Sequence, residues 1–237
     1  MCGRLALFTP PTSLARLLDA NLGVALQDEL FVPRWNLPPT VPLPGLLNAP
    51  NGSGRVLSQF RWGLLPSWAK DRSFASRTFN ARSETVATKP SFRSAFTTRH
   101  LLVPVDGYFE WTTTGPVLKE PHYISRIDGK PALLAGLWEE WRDPEAPEGT
   151  SGIVRTCTVL TRPANADVAH LHDRMPVIVE DDSIDRWLTA TGDEAAVALQ
   201  ELLNTQLGML KHHSVSRAVG SIRNDDASLI EAVASPS

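Results

Sequence analysis

The chain has 237 residues, 42% of them hydrophobic, which is enough to bury a substantial core, and a single domain spanning 1–237 is the expected organisation. A net charge of −3 argues against a general nucleic-acid binder, and Cys2 and Cys157 are too few for a disulfide framework or a cysteine-rich zinc site. No apolar run approaches the length of a membrane span, and the N-terminus lacks the charged and apolar regions of a signal peptide, so a soluble cytoplasmic protein without membrane contact is expected.

Arg4 to Phe8 reads as a strand. Thr12, after Pro10 and Pro11, is placed to cap a short helix whose Leu14, Leu17 and Leu18 form one apolar face and which ends near Gly23. Trp35-Asn36-Leu37-Pro38-Pro39-Thr40 is too rich in proline for regular structure and predicts an extended segment, then a loop through Gly45. Asn48 to Gly54 is a surface turn. Val56 to Trp62 and His100 to Val105 are predicted strands, the second running into Asp106-Gly107-Tyr108-Phe109-Glu110-Trp111.

His122 to Ile127, Asp128-Gly129 and Pro131 to Trp138 carry a hairpin signal, because Asp-Gly readily supplies positive φ in a tight turn. Trp138 to Gly149 is acidic and predicts an exposed loop, and Ile153 to Thr161 predicts a strand that buries Cys157 as a structural thiol. Asp181 to Leu188 and Gly192 to Thr205 read as helices, the second with Val197, Leu199, Leu202 and Leu203 on its apolar side. From Ser221 the chain is polar apart from one short apolar, helix-like run, and no repeat or low-complexity tract occurs. Strands outnumber helices and alternate with them irregularly. The pattern predicts an α+β fold, with a mainly antiparallel sheet or barrel-like core and flanking helices.

Charge is unevenly distributed: Arg55 to Arg99 holds nine basic residues against Asp71 and Glu84, interleaved with Trp62, Trp68, Phe74, Phe79, Phe92 and Phe96. This suits a groove where phosphates meet guanidiniums and bases stack on rings, or equally a solvated surface whose aromatics belong to the core.

Four residues carry chemistry. Removal of Met1 would leave Cys2 with a thiol beside a free α-amine, a vicinal aminothiol that condenses with aldehydes through a Schiff base to a thiazolidine ring. The amine titrates near ~7.7–8.0 and the thiol near ~8.5, so neither is fully protonated at neutral pH; alone, a Cys at position 2 reads equally as a small inert hydrophobe. Glu110 sits among Tyr108, Phe109 and Trp111, where desolvation would raise its pKa into the range of general acid–base work, unless it faces outward on its strand. His172, in Leu171-His172-Asp173-Arg174-Met175-Pro176, is a proton carrier or an ordinary satisfied polar residue. Asn80 could orient a ligand through its amide or serve as a turn residue.

Taken together, the motifs Met1-Cys2-Gly3-Arg4, Trp35 to Thr40, Arg61 to Trp68, Phe79 to Thr85, Gly107 to Trp111, Ala135 to Trp138, Thr161 to Asn165 and His172 to Pro176 resemble, in order, those of the SOS-response-associated peptidase family, the SRAP domain. Departures are Trp35 where relatives usually have Tyr, Pro38 where they have Ala, and Val219-Gly220 where they have Val-Asn. The resemblance implies a sensor of abasic sites in single-stranded DNA that captures the ring-opened aldehyde as a thiazolidine crosslink. It implies catalytic roles for Cys2, Asn80, Glu110 and His172 and DNA contacts from Arg4, Trp68, Arg77, Arg82 and Arg174, with Trp68 the stacking ring. No metal or cofactor is called for; the expected partner is single-stranded DNA containing abasic sites, bound by a monomer, and the sequence does not name a partner at the replication fork. Two other classes stay open: a thiol peptidase that uses Cys2, at least on its own Met1–Cys2 bond, and a non-covalent reader of single-stranded or modified DNA.

Overall fold

The computed structural model describes residues 2–23, 26, 28, 31–49, 52–113, 119–204 and 208–233. In chain order the strands are β1 (Leu5–Leu7), β2 (Ala20–Leu22), β3 (Arg34–Leu37), β4 (Pro42–Asn48), β5 (Arg55–Trp62), β6 (Asn80–Arg82), β7 (His100–Val105), β8 (Gly107–Thr113), β9 (Lys119–Arg126), β10 (Ala132–Arg142), β11 (Ile153–Pro163), β12 (Arg174–Pro176), β13 (Ile178–Val179) and β14 (Leu210–Ser214). The helices are α1 (Pro11–Leu17), α2 (Arg93–Thr98), α3 (Ile184–Thr189) and α4 (Asp193–Asn204). The fold is α+β, as the sequence predicts.

Strands β5, β4, β7, β10 and β11 run side by side in antiparallel pairs, and a short parallel contact of β11 with β5 (Thr156 opposite Arg61, Cys157 opposite Trp62) closes them into a barrel. Closure removes the exposed edges that an open sheet of these apolar strands would present. All six residues of β7 are buried, with no alternation. Its outer face is covered by α3, whose Trp187 donates its indole N–H to the Leu101 carbonyl at 3.0 Å, and a strand covered on both faces reads as a continuous apolar run. A second sheet, ordered β14-β9-β8-β1-β3, leaves the barrel where β7 turns into β8 at Asp106. The Asp106 carboxylate fixes that corner by accepting from Phe8 N (2.6 Å), Thr9 N (2.8 Å) and Thr9 Oγ1 (2.5 Å).

Several expectations need correction. Helix α1 starts at Pro11 after Pro10, with no side-chain cap; the Thr12 hydroxyl goes to Asp28 instead. The helix ends at Leu17, well before Gly23, because the chain turns there into β2, which joins β5. The proline-rich stretch is regular only in part: residues 35–37 are extended in β3 as expected, Pro39 and Thr40 form a turn, and the expected loop gives way to strand from Pro42. β3 pairs with β1, and β4 pairs with β5 from Pro42 to Asn48 but meets β7 only at Leu46 opposite Leu102, so Pro42 and Pro44 lie where that flank is unpaired and a missing N–H costs little. The Asp-Gly turn forms, with Gly129 at φ 73°, but β9 and β10 enter different sheets and make no hairpin. Arg126 Nε and Nη2 grip Asp128 at 2.9 and 2.7 Å, and this pins the crossover. β10 continues through Arg142 into the predicted loop, because Trp141 is buried and donates to the Ala69 carbonyl at 2.7 Å. On α4 the buried face is Ala195, Ala198, Leu199 and Leu202, while Val197 is exposed. Cys157 is buried in β11 as expected, and burial pushes its thiol up out of the reactive range.

Candidate functional site

Three stretches far apart in sequence meet at the N-terminus. β1 pairs with β8 (Leu5 opposite Tyr108), and Phe109 N donates to the Arg4 carbonyl at 3.0 Å, which brings residues 2–4 alongside Glu110. β6 adds to β11 with Asn80 opposite Val159, and the Asn80 Nδ2 donates to the Cys2 carbonyl at 2.6 Å. The segment between β11 and β12 carries His172 to the same place. Cys2 is fully buried. Its thiol is pushed well up, first by burial and then by the negative charge of Glu110, which places the two groups in each other's field.

Glu110 is 3% exposed. Burial raises its carboxyl to about 7, with the Asp173 charge acting in the same direction, so at neutral pH it is divided between acid and base forms. It lines an open pocket of about 480 Å³ with Trp111, Thr113, Lys119, His172 and Gly220. The His172 ring is oriented by the Arg174 backbone N–H, which donates to Nδ1 at 2.9 Å. The neutral ring therefore carries its proton on Nε2. Asp173 Oδ1 lies 2.8 Å from the same Nδ1 and could accept only if Nδ1 carried a proton, which would cost the Arg174 N–H its acceptor; burial lowers the His172 pKa and so disfavours the doubly protonated ring.

A basic and aromatic surface adjoins this site through the chain itself. Arg77 ends a 3₁₀ turn (Arg72–Arg77), Asn80–Arg82 follow directly, and both Arg77 and Arg82 are exposed. At ~3.3–3.6 Å per residue neither can lie more than about 11 Å along the backbone from Asn80. Trp68 is 54% exposed and packs edge-on against Phe74 at 5.2 Å between centroids, while the Arg77 guanidinium covers Phe74 at 5.4 Å. Together with Ala69, Lys70, Asp71 and Ser73 they line a shallow pocket of about 270 Å³. Gly63 holds this surface to the barrel: its φ is 130°, and a Cβ there would come within 2.5 Å of the Ala75 carbonyl. The aromatics of the basic segment divide by role, since Trp62, Phe92 and Phe96 are core residues.

Two of the arginines expected at phosphates are engaged within the protein. Arg174 is 8% exposed; its guanidinium holds Glu84 with both Nη atoms and donates from Nη2 to the Thr161 carbonyl at 2.7 Å. A phosphate would have to displace a paired carboxylate, so Arg174 is assigned to the scaffold. Arg4 is half-buried and donates from Nη1 to Asn36 Oδ1 at 2.6 Å and to the Val219 carbonyl at 2.8 Å, with Trp111 at 5.8 Å. It ties β1 to β3 and to the 217–220 turn beneath the pocket. Of the residues around the site, Lys119, Trp111 and Thr113 were not singled out in the sequence; they are revealed only by the β8–β9 register. The departure at Gly220 does fall on the pocket rim, where its Cβ position meets open space.

Among the described residues, no group of three or more His, Cys, Asp or Glu side chains could hold a metal ion, and no helix is long and apolar enough to cross a membrane.

Comparisons with known proteins bear on the family and the fold. YoqW of Bacillus subtilis strain 168, named an abasic site processing protein, is 33% identical over 232 residues, covering 98% of this chain and 99% of its own. YobE of the same organism, with the same description, is 30% identical over 93% of this chain and 97% of its own. The crystal structure of a protein from Bacteroides thetaiotaomicron superposes with a TM-score of 0.83 at 22% identity, over 98% of this chain and 100% of that one, and shares the fold. The family model described as SOS response associated peptidase (SRAP) matches residues 1–222, and with Cys2, Asn80, Glu110 and His172 gathered inside that span, the chain belongs to the SRAP family.

Proposed function

We propose that this protein senses abasic sites in single-stranded DNA and captures them covalently through Cys2 once Met1 has been removed. The observation that carries the reading is the pairing of a buried acid–base carboxyl, Glu110 at about 7, with Cys2 held through its carbonyl by Asn80. The nitrogen of the Met1–Cys2 peptide bond becomes the free α-amine, and its lone pair attacks the ring-opened aldehyde to give a carbinolamine. Protonated Glu110 delivers a proton to the departing hydroxyl, water leaves, and an imine remains. The Cys2 sulfur then bonds to the imine carbon while its proton passes to the nitrogen, which closes the thiazolidine. The overall change is loss of one water. His172, neutral with its proton on Nε2, holds the opened sugar or relays the proton.

The surface of Trp68, Arg77 and Arg82 suits the flanking strand, with bases on the exposed ring and phosphates on the guanidiniums. The names carried by YoqW and YobE support abasic sites as the target. Cleavage of peptide bonds in trans is disfavoured, because a peptidase thiol needs a lowered pKa and here both burial and Glu110 raise it. In aminothiol capture the amine attacks first, and the sulfur acts only after the carbon is fixed beside it.

The test is a denaturing gel of protein incubated with a single-stranded oligonucleotide bearing one abasic site. Wild type should give a heat-stable adduct. Cys2→Ala should retain only an imine that survives when reduced with borohydride, and a heat-stable adduct from Cys2→Ala would refute the assignment.

A further inference from the structure

Tyr108 is 1% exposed, and its hydroxyl has no hydrogen-bond partner among the described residues. A buried hydroxyl left in that state is costly, whereas a phenylalanine would fill the same volume without loss. The hydroxyl is therefore not explained by packing, and a polar group retained without a partner calls for one that arrives.

Its position indicates what arrives. Tyr108 and Glu110 are two apart on β8 and so share a face of the strand. Tyr108 stands opposite Leu5, three residues along the chain from Cys2. Burial first, and then the neighbouring acidic groups, raise the phenol well above its ordinary range, so at neutral pH it is a hydrogen-bond donor on the face of β8 that carries Glu110.

We propose that Tyr108 is a further catalytic residue, whose hydroxyl donates a hydrogen bond to the aldehyde oxygen as the Cys2 amine adds to the carbon. This rests on the capture reading above. The C–N bond forms, the carbonyl π pair moves onto oxygen, and the developing charge there is met by the Tyr108 O–H, which keeps its own proton. Glu110 then supplies the proton that takes the oxygen away as water. The arrangement is that of an oxyanion donor held in place before the charge appears.

The experiment compares wild type and Tyr108→Phe on an abasic single-stranded oligonucleotide, with the adduct trapped by cyanoborohydride over time, and on an undamaged oligonucleotide, with binding measured by anisotropy. Tyr108→Phe should melt no lower than wild type, bind the undamaged strand equally, and form adduct at least about tenfold more slowly. A rate within about twofold of wild type overturns the proposal, and so does a lowered melting temperature, which would mean that the hydroxyl has a structural partner. A wild type that forms no adduct removes the capture reading and this inference together; a normal wild type with an equally fast Tyr108→Phe removes only the inference.

Discussion

Glu110→Gln should make the protein more stable at alkaline pH and leave it unchanged in acid. The carboxyl is raised from 4.5 to about 7 by burial, so between those values the folded state binds a proton that the unfolded chain has released. Stability is therefore lost as pH rises through that window and remains lost above it. At ~1.36 kcal/mol per pKa unit, the charged carboxylate costs the fold up to about 3 kcal/mol at pH 8.5. Glutamine has nearly the same shape and no charge, and should recover about 1–3 kcal/mol at that pH and none near pH 4.5, where wild-type Glu110 is already neutral in the fold. For a chain of this length the gain corresponds to roughly 2–12 °C in melting temperature. Thermal melts of both proteins at half-unit steps of pH would read it directly. A difference that is flat with pH, or a wild type that is more stable at pH 8.5, would refute the claim that Glu110 is held by burial at the threshold of ionisation. The same variant should lose most of its adduct formation at every pH, since its amide cannot donate the proton that carries water away.

Other outcomes follow from the same geometry. Trp68→Ala should weaken non-covalent binding of single-stranded DNA by about 1–3 kcal/mol with no change in melting temperature, because the ring is exposed and its loss removes only a stacking surface. Arg77→Ala should reduce the salt dependence of that binding by about one unit of slope, measured by anisotropy from low to moderate salt. Arg174→Ala should leave the salt slope unchanged but destabilise the fold by about 1.5–3 kcal/mol, because it breaks charged hydrogen bonds to Glu84 and Thr161; a normal melt with weakened binding would return Arg174 to the DNA surface.

The parts of the fold legible in the sequence were those fixed by local pattern. β7 and β8 carry apolar runs, β5 and β11 mix polar residues with β-branched and aromatic ones in strand-like fashion, and α4 opens on acidic residues with an apolar stripe. What could not be read was set by tertiary pairing. The register of β4 makes Pro42 and Pro44 harmless, and Trp141 extends β10 by finding a carbonyl 72 residues away in sequence. Asp128-Gly129 between two strand-like segments reads as a hairpin turn, and nothing local shows that the strands join different sheets.

The candidate site divides in the same manner. Cys2, Asn80, Glu110 and His172 stood out by chemical type and motif, and the fold gathers them around the terminus. Arg174 and Arg4 looked like phosphate ligands because they lie in the right motifs. Sequence alone does not reveal that Glu84 and Asn36 already hold them. Tyr108 was visible as a neighbour of Glu110 on the strand, but its unpartnered hydroxyl appears only once β1 closes over it.

The most direct test of the central claim is intact mass spectrometry of the protein before and after incubation with a single-stranded oligonucleotide carrying one abasic site. The account predicts loss of Met1, then a gain equal to the oligonucleotide mass less one water, stable to heating and absent in Cys2→Ala. Wild-type protein that has lost Met1 and binds the intact oligonucleotide, yet gains no mass, would contradict it.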